Sequence, residues 1–391
     1  MDYLFWIFYL YDRKISIGVQ FILTFLTYLL VKYRYRQPST YLVLKKSTKE
    51  RLIKAFNPEP LILDSVTPYK FKTVKYNFSN HDVFNLGRKF KDEIKATIRE
   101  YGVGTCGPRG FYGTLDIHLD LEKKISELFG KDAAIIYSNY FTCVQSVISC
   151  FCRARNNVFV HTKAFNAIHS GVLLSRANKH TYDTLEDLKH KLDTDLTDKY
   201  LIVERIGWNT GEMVDLNTIV DLKKRYGFRI ILDEACSIPF VYQKPEDQDL
   251  YSQIDLIIGS LSLGYPTNGG FCATCREAVD YQRLSGSAYV FSASLPAFLS
   301  KAALCMLAET LDYRRIREKI KKAQELIPGI VSTSKSPILL IKCDDLYEKH
   351  NQLREEGYVI GMCGEYLRIC INEECDEKDL KAVGDILIRN K

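Results

Sequence analysis

Asp233 closes the apolar run Arg229-Ile230-Ile231-Leu232 and is followed by Glu234-Ala235-Cys236-Ser237. An acid at the carboxyl end of a buried strand stands where open α/β sheets meet their ligands. Asp233 is therefore a candidate to face a cofactor, with a helix N-cap or a salt bridge as the structural alternatives. The next strand end reads Gly259-Ser260-Leu261-Ser262-Leu263-Gly264-Tyr265-Pro266-Thr267-Asn268-Gly269-Gly270. No lysine occurs from residue 245 to residue 300, so no amine is available there to hold a carbonyl cofactor as an imine. Residues 101–122, YGVGTCGPRGFYGTLDIHLDLE, carry five glycines (Gly102, Gly104, Gly107, Gly110, Gly113). Gly102, Gly104 and Gly107 spell a G-x-G-x-x-G, but a dinucleotide fingerprint needs a strand before it. Leu86 to Tyr101 has helical spacing instead (Phe90, Ile94, Ile98). Cys272 and Cys275 form a single C-x-x-C without a second pair, which reads as two small residues beside a strand and not as a metal site.

The elements that must position these residues are legible as alternating patterns. Strands are expected at AAIIYS (133–138), NVFVH (157–161), YLIVERI (200–206), RIILDEA (229–235) and DLIIGSL (255–261), with a short one in VKYNFSN (74–80). Helical patterns separate them, including one starting near Tyr140. Apolar strands alternating with helices predict a mainly parallel sheet covered on both faces. From about Leu299 the pattern turns helical (Ala302 to Leu326), and PILLIK, YVIGM and YLRICI then predict a smaller C-terminal αβ region. The expected division is an N-terminal anchor over 1–40, a basic linker and N-terminal segment over 41–98, a large domain over 99–298 and a small domain over 299–391. Pro58 and Pro60 mark the linker.

The 391 residues carry a net charge of +6, but it is localised. Residues 32–54 hold eight basic side chains against Glu50 alone, a net of +7, so the rest of the chain sums to −1. Basicity confined to one segment argues against nucleic acid as a partner. Beside it lies Ile15 to Val31, seventeen residues without a charge. A helix of that length is near the lower limit for crossing a bilayer. The basic flank predicts a cytosolic C-terminal side. A membrane-embedded anchor is expected, either spanning or lying in the membrane plane, with Tyr3 to Tyr11 at the opposite interface. Twelve cysteines scattered from Cys106 to Cys375 suit reduced thiols in a chain this long.

The 101–122 segment resembles the glycine-rich stretch of the α-oxoamine synthases, pyridoxal-phosphate (PLP) enzymes that condense an amino acid with an acyl-CoA. Within them, YGVGTCGPRGFYGT followed by H-x-D-L-E looks like the first long-chain-base subunit of serine palmitoyltransferase. Asn209-Thr210-Gly211, Gly270-Phe271-Cys272, Gln282-Arg283-Leu284-Ser285-Gly286 and Phe291-Ser292-Ala293-Ser294-Leu295-Pro296 extend the likeness over about residues 74–375. The resemblance implies the PLP-dependent transferase fold type I (aspartate aminotransferase-like): an α/β large domain with a mainly parallel sheet, a smaller C-terminal α/β domain, and a membrane helix before them.

It also implies a degenerate cofactor site. The family's D-E-A-H-S aspartate, which pairs with the PLP pyridinium nitrogen, falls on Asp233, and its histidine falls on Cys236. The family's G-T-x-[TS]-K-x-x-G-x-x-G-G puts Ser262 before the lysine and Leu263 at the lysine itself. The histidine that stacks on the cofactor ring falls at Phe165, and a glycine that helps seat the phosphate falls at Tyr140. The loop after D-E-A-H-S is replaced by Pro239 to Lys244. Cys106, Arg109, Ser292 and Ser294 are candidates to contribute to a partner's site. For the two serines a helix cap before Pro296 is an equal alternative. Arg368 falls where the family binds a substrate carboxylate, and a structural ion pair is expected here. A packing role is expected for His118.

On this resemblance the chain is the non-catalytic subunit of a membrane-bound heterodimer at the endoplasmic reticulum, its catalytic domain on the cytosolic side. The second subunit carries the lysine-bound pyridoxal 5'-phosphate and joins L-serine to palmitoyl-CoA, releasing carbon dioxide and 3-ketosphinganine. A stand-alone homodimeric synthase binding PLP non-covalently, and a membrane scaffold outside the reaction, are the alternatives.

Overall fold

The computed structural model describes residues 17–34, 45–55, 74–241, 248–332 and 336–389. The Tyr3–Tyr11 run, the Pro58–Pro60 linker and Tyr242, Gln243 and Lys244 lie outside them. The chain divides into a unit over 1–72 and one over 73–391.

In the first unit the described residues form helices Ile17–Arg34 and Lys46–Ala55. No described helix is long and apolar enough to cross a membrane; Ile15 and Ser16 of the expected anchor lie outside the described residues. In the helix Ile17–Arg34, Lys32 and Arg34 occupy the last turn, and the described apolar part from Ile17 to Val31 rises about 22 Å. Its side chains are nonetheless apolar and exposed around the helix, with Phe21, Ile22, Phe25, Leu26 and Leu30 uncovered.

Among the described residues the second unit holds twelve strands. In chain order they are β1 (Tyr76–Asn77), β2 (Ala133–Tyr137), β3 (Asn157–His161), β4 (Asn178–Tyr182), β5 (Lys199–Glu204), β6 (Arg229–Asp233), β7 (Leu256–Ser260), β8 (Gly270–Thr274), β9 (Ile338–Ile341), β10 (Tyr358–Val359), β11 (Gly361–Cys363) and β12 (Tyr366–Cys370). Seven of them form one sheet in the order β2-β8-β7-β6-β5-β3-β4. Its internal pairs are parallel except those of β8, which runs antiparallel to both β2 and β7. Alternate residues enter opposite cores, as the two-residue strand period requires. Ile230, Leu232 and Phe159 face one core, while Ile231, Val158 and Val160 face the other. The sheet is buried on both faces, and its strands accordingly read as continuous apolar runs.

Two strands escaped the sequence pattern. β4 is an edge strand of polar residues (Asn178-Lys179-His180-Thr181-Tyr182), and β8 opens on glycine. The single helical pattern expected from Ala302 to Leu326 is two helices, Ala297–Leu307 and Tyr313–Leu326. Asp312 starts the second by accepting the Arg314 N–H at 3.1 Å. The remaining strands build a smaller layer in which β11-β12-β9 is antiparallel. β1 joins this region by pairing in parallel with β10, and Cys370 donates its N–H to the Phe78 carbonyl at 2.7 Å. The C-terminal layer is thus completed by residues from the start of the unit.

Candidate functional site

The carboxyl ends of the parallel strands bring five sequence-predicted positions to one face of the sheet. Glu204 and Asp233 are register partners at the ends of β5 and β6. They continue the alternation of Ile202 and Ile231, so both look toward the core that contains Tyr140, with Phe165 and Leu263 packed against it. Tyr140 opens helix Tyr140–Phe151 directly after β2, and Phe165 precedes helix Asn166–Ser175 directly after β3. Ser262 and Leu263 lie in the turn after β7, where Ser260 Oγ accepts both of their N–H groups at 3.0 Å.

Gly270 decides how closely the first of these helices approaches the sheet. A Cβ there would lie 2.7 Å from Tyr140 Cα and 2.7 Å from Cys143 Cβ, contacts that no side chain tolerates. With glycine at that point, the helix start rests on β8 and aims Tyr140 across the strand ends.

Tyr140 donates its hydroxyl hydrogen to Asp233 Oδ2 at 2.5 Å. Asp233 Oδ1 accepts the Ala235 N–H at 3.0 Å. Tyr140 stacks on Phe165, with ring centroids 5.7 Å apart and planes 15° from parallel, an offset-stacked arrangement that aromatic pairs favour. Phe141 meets the Phe165 ring edge-on at 5.9 Å, and Trp208 lies against it at 5.5 Å. Glu204, Trp208 and His81 are the members of this site that sequence reasoning missed. Glu204 accepts the Phe165 N–H at 3.1 Å and the Trp208 N–H at 3.0 Å, which fixes the two aromatic residues from behind. The available signal was its place as the acid ending a buried strand, the same signal that identified Asp233.

Burial raises the Asp233 carboxyl from 3.8 to about 7, against the lowering effect of the Tyr140 hydroxyl. Burial, and then the nearby Asp233, raise Glu204 to about 8. A raised carboxyl keeps its proton in the folded state while the unfolded chain releases it. The stability it contributes is complete below the ordinary carboxylate range and is lost as pH rises through about 7. The lowered His81 contributes in the opposite direction, so the expected result is a difference: unfolding midpoints of Asp233→Asn should rise relative to those of the unaltered chain as pH goes from 4 to 8. A parallel profile for the variant would contradict the assignment.

Among the described residues no ion pair is found for Arg368, which corrects the expectation of one. Its guanidinium lies 4.1 Å over the Trp208 ring, and Nε donates to the Trp208 carbonyl at 3.1 Å. Nη1 donates to His81 Nε2 at 2.8 Å. His81 accepts because burial, and then Arg368, lower it to about 3, leaving the ring neutral. His81 in turn stacks on Trp208 at 4.8 Å.

The glycine-rich segment lies elsewhere in the unit. It runs from the C-cap Gly102 of helix Lys91–Tyr101 to the start of helix Asp116–Phe129. Its inner side is docked onto residues 294–295. Thr105 Oγ1 hydrogen-bonds Ser294 Oγ, and the Ser294 N–H donates to the Gly107 carbonyl at 3.2 Å. His118 plays the packing role expected of it. Its Nδ1 accepts the Leu115 N–H at 3.1 Å, so Nε2 carries the proton and donates to the Leu295 carbonyl at 2.6 Å. Arg109 points inward, and its Nη1 pairs with Glu122 Oε1 at 3.0 Å in a buried contact. Ser292 donates to the Ala288 carbonyl and lies 3.2 Å from Ser138 Oγ. Cys106 is exposed with a free thiol. The outer side is apolar and uncovered: Val103 is 77% exposed, Phe111 72%, Tyr112 92% and the nearby Phe291 83%. Cys272 is buried in β8 and Cys275 is exposed.

A seven-stranded, mostly parallel sheet with an acid at the end of β6 and a second small sheet belongs to one large class. The profile of the aminotransferase class I and II family matches residues 75–386, and the chain belongs to that family. Within it the chain groups with the first long-chain-base subunits of serine palmitoyltransferase. It is 32% identical over 318 residues to long chain base biosynthesis protein 1 of Arabidopsis thaliana, covering 73% of this chain and 65% of that one. It is 37% identical over 245 residues to long chain base biosynthesis protein 1b of Oryza sativa subsp. japonica, covering 58% and 51%. Serine palmitoyltransferase 1 of Dictyostelium discoideum is 31% identical over 325 residues, with 73% and 67% covered. The chain thus spans about half to two thirds of the length of these relatives. Among solved structures, Sphingomonas wittichii serine palmitoyltransferase aligns with a TM-score of 0.75 at 20% identity, over 88% of this chain and 97% of that one. A serine palmitoyltransferase with a PLP internal aldimine aligns at 0.71 and 22%, over 80% and 86%. These two likenesses concern the fold.

The residues at the strand ends do not fit covalent PLP. Leu263 offers no amine, and residues 245–300 contain no lysine. Nor is there room beside Phe165. A planar ring needs about 3.5 Å on each face, or about 7 Å between two flanking rings, and Tyr140 and Phe165 are 5.7 Å apart.

Proposed function

We propose that this chain is the non-catalytic subunit of a serine palmitoyltransferase, with the PLP lysine on a second, lysine-containing long-chain-base subunit. The reaction assigned to the complex is condensation of L-serine with palmitoyl-CoA to 3-ketosphinganine. The observation that carries the reading is Leu263, an aliphatic side chain at the end of β7 in a site whose acid, Asp233, is already bonded to Tyr140. The uncovered apolar face of Val103, Phe111, Tyr112 and Phe291 supports docking of that second subunit. Cys106 and the Ser292–Ser294 segment border the same face. The exposed apolar helix Ile17–Arg34 with its basic continuation supports membrane association, for which we propose the endoplasmic reticulum with the larger unit on the cytosolic side.

The reading is tested by co-expressing the chain with a lysine-containing paralogue, isolating the complex by a tag on this chain, and reducing it with borohydride before mass spectrometry. The expected result is a one-to-one complex with the reduced cofactor only on the second subunit. Cofactor bound to a lysine of this chain, or synthase activity from this chain alone, would sink the proposal.

A further inference from the structure

We infer that Tyr140 is a built-in occupant of the cofactor-ring position, so that this chain excludes the cofactor by filling its place and not merely by lacking a lysine. The inference rests on the family reading of Asp233, Phe165 and Leu263 and goes beyond it by naming the group that closes the site. Tyr140 makes the two contacts that define such a ring. Its hydroxyl reaches the Asp233 carboxyl at 2.5 Å, where a pyridinium N–H would donate. Its face lies on Phe165 at 15° from parallel, on the side chain that stands at the stacking position.

The phenol is only 5% exposed and Asp233 2%, so the pair is sealed from water. Burial and the adjacent Asp233 keep the phenol neutral and able to donate. The anion-binding end of the same helix is also engaged. Asn139 Oδ1 accepts the Thr142 N–H at 3.2 Å, using a first-turn donor of the kind that meets phosphates at helix N-termini. Leu263 packs at the border of the same core, so an aliphatic chain closes the side from which a lysine would approach. Displacing Tyr140 would leave the buried Asp233 without a donor on Oδ2, which makes opening unfavourable. The docked ring is thus held by the polar pair as well as by stacking. A small residue at 140 would leave a ring-sized space bounded by Phe165 and Asp233.

The test adds pyridoxal 5'-phosphate to the purified full chain carrying Leu263→Lys, and to the double variant Leu263→Lys with Tyr140→Gly. Borohydride trapping and peptide mapping then read occupancy at residue 263. The expected result is at most one tenth occupancy in the single variant and near-complete occupancy in the double. Equal occupancy in both would overturn the inference, because the lysine alone would then have been the barrier.

Tyr140→Ala in the otherwise unaltered chain provides a second reading if glycine at the helix start prevents folding. Its non-covalent affinity for pyridoxal 5'-phosphate, by fluorescence titration, is expected to rise at least tenfold over the unaltered chain. No change in a variant that keeps its circular dichroism would overturn the inference. Tyr140→Phe keeps the ring and is expected to go on excluding the cofactor. Failure of the functional proposal looks different, since it would show as cofactor trapped on a native lysine of the unaltered chain.

Discussion

Replacing Glu122 with alanine is expected to destabilise the fold by about 3–5 kcal/mol, the range for removing one partner of a buried ion pair. Glu122 is the anion for two cations: Oε1 accepts from Arg109 and Oε2 from Arg283, each at 3.0 Å. The Arg109 and Glu122 side chains are 3% and 6% exposed, so solvent cannot replace the lost charge. Among the described residues Arg109 Nη2 is buried without a hydrogen-bond partner, and alanine at 122 would leave the guanidinium without a carboxylate, with the Tyr289 ring 5.7 Å away beneath it. Glu122 also accepts the Ile136 N–H at 3.1 Å. Ile136 lies in β2, an edge strand of the seven-stranded sheet, and an edge leaves such groups to be covered by other means. The same substitution therefore loosens the glycine-rich segment, the helix Asp116–Phe129 and the sheet edge together. Denaturant unfolding of the full chain in detergent checks this. Glu122→Gln, which retains an acceptor for Ile136, is expected to fall between wild type and Glu122→Ala. A loss below about 1 kcal/mol for Glu122→Ala would be typical of an exposed pair and would contradict the geometry.

Gly113→Ala is expected to cost about 3 kcal/mol, at the upper end of the overpacking range. An added Cβ would stand 2.0 Å from the Gly107 carbonyl oxygen and 2.8 Å from Ser294 Oγ. The first of these is backbone, which cannot rotate away. The segment would have to undock from Ser294, breaking its contacts to Thr105 and Gly107. Limited proteolysis within residues 103–113 should accelerate at least tenfold, and retention of the proposed second subunit should fall with it. Gly110→Ala is the matched control, because a Cβ there meets nothing within 4 Å. Its expected effect on stability is within about 0.5 kcal/mol. Protease sensitivity equal in the two variants would show that Gly113 carries no special constraint.

These two cases mark how far the sequence was legible. Glycine density at 101–113 identified an unusual backbone segment, and Asp233 was recognisable because an apolar strand ended on an acid. Both readings are local. The joint pairing of Arg109 and Arg283 with Glu122 was not readable, since Arg283 lies 161 residues from Glu122. Arg109 was therefore a candidate for a partner's site, and the structure turns it inward. Arg368 was expected to have an acid and instead lies on Trp208 beside a neutral His81. β4 and β8 were missed because one is a polar edge and the other begins with glycine, and neither presents the β-branched run that marks a buried strand.

The sequence by itself determined the family, the alternation that builds a doubly covered sheet, and the absence of an amine from residues 245–300. Each of these is written in residue type, order and short-range period, which need no contact to be read. Only the tertiary structure decided what stands where the amine's cofactor would be. Tyr140, Phe165 and Asp233 come from three different strand ends, and they meet because β2, β3 and β6 lie in one sheet and Gly270 lets a helix start against β8. The stacking distance and the hydroxyl-to-carboxyl bond are properties of that meeting. On the proposal made above, the missing lysine removes the covalent link, and the tyrosine docked on Asp233 takes the place itself.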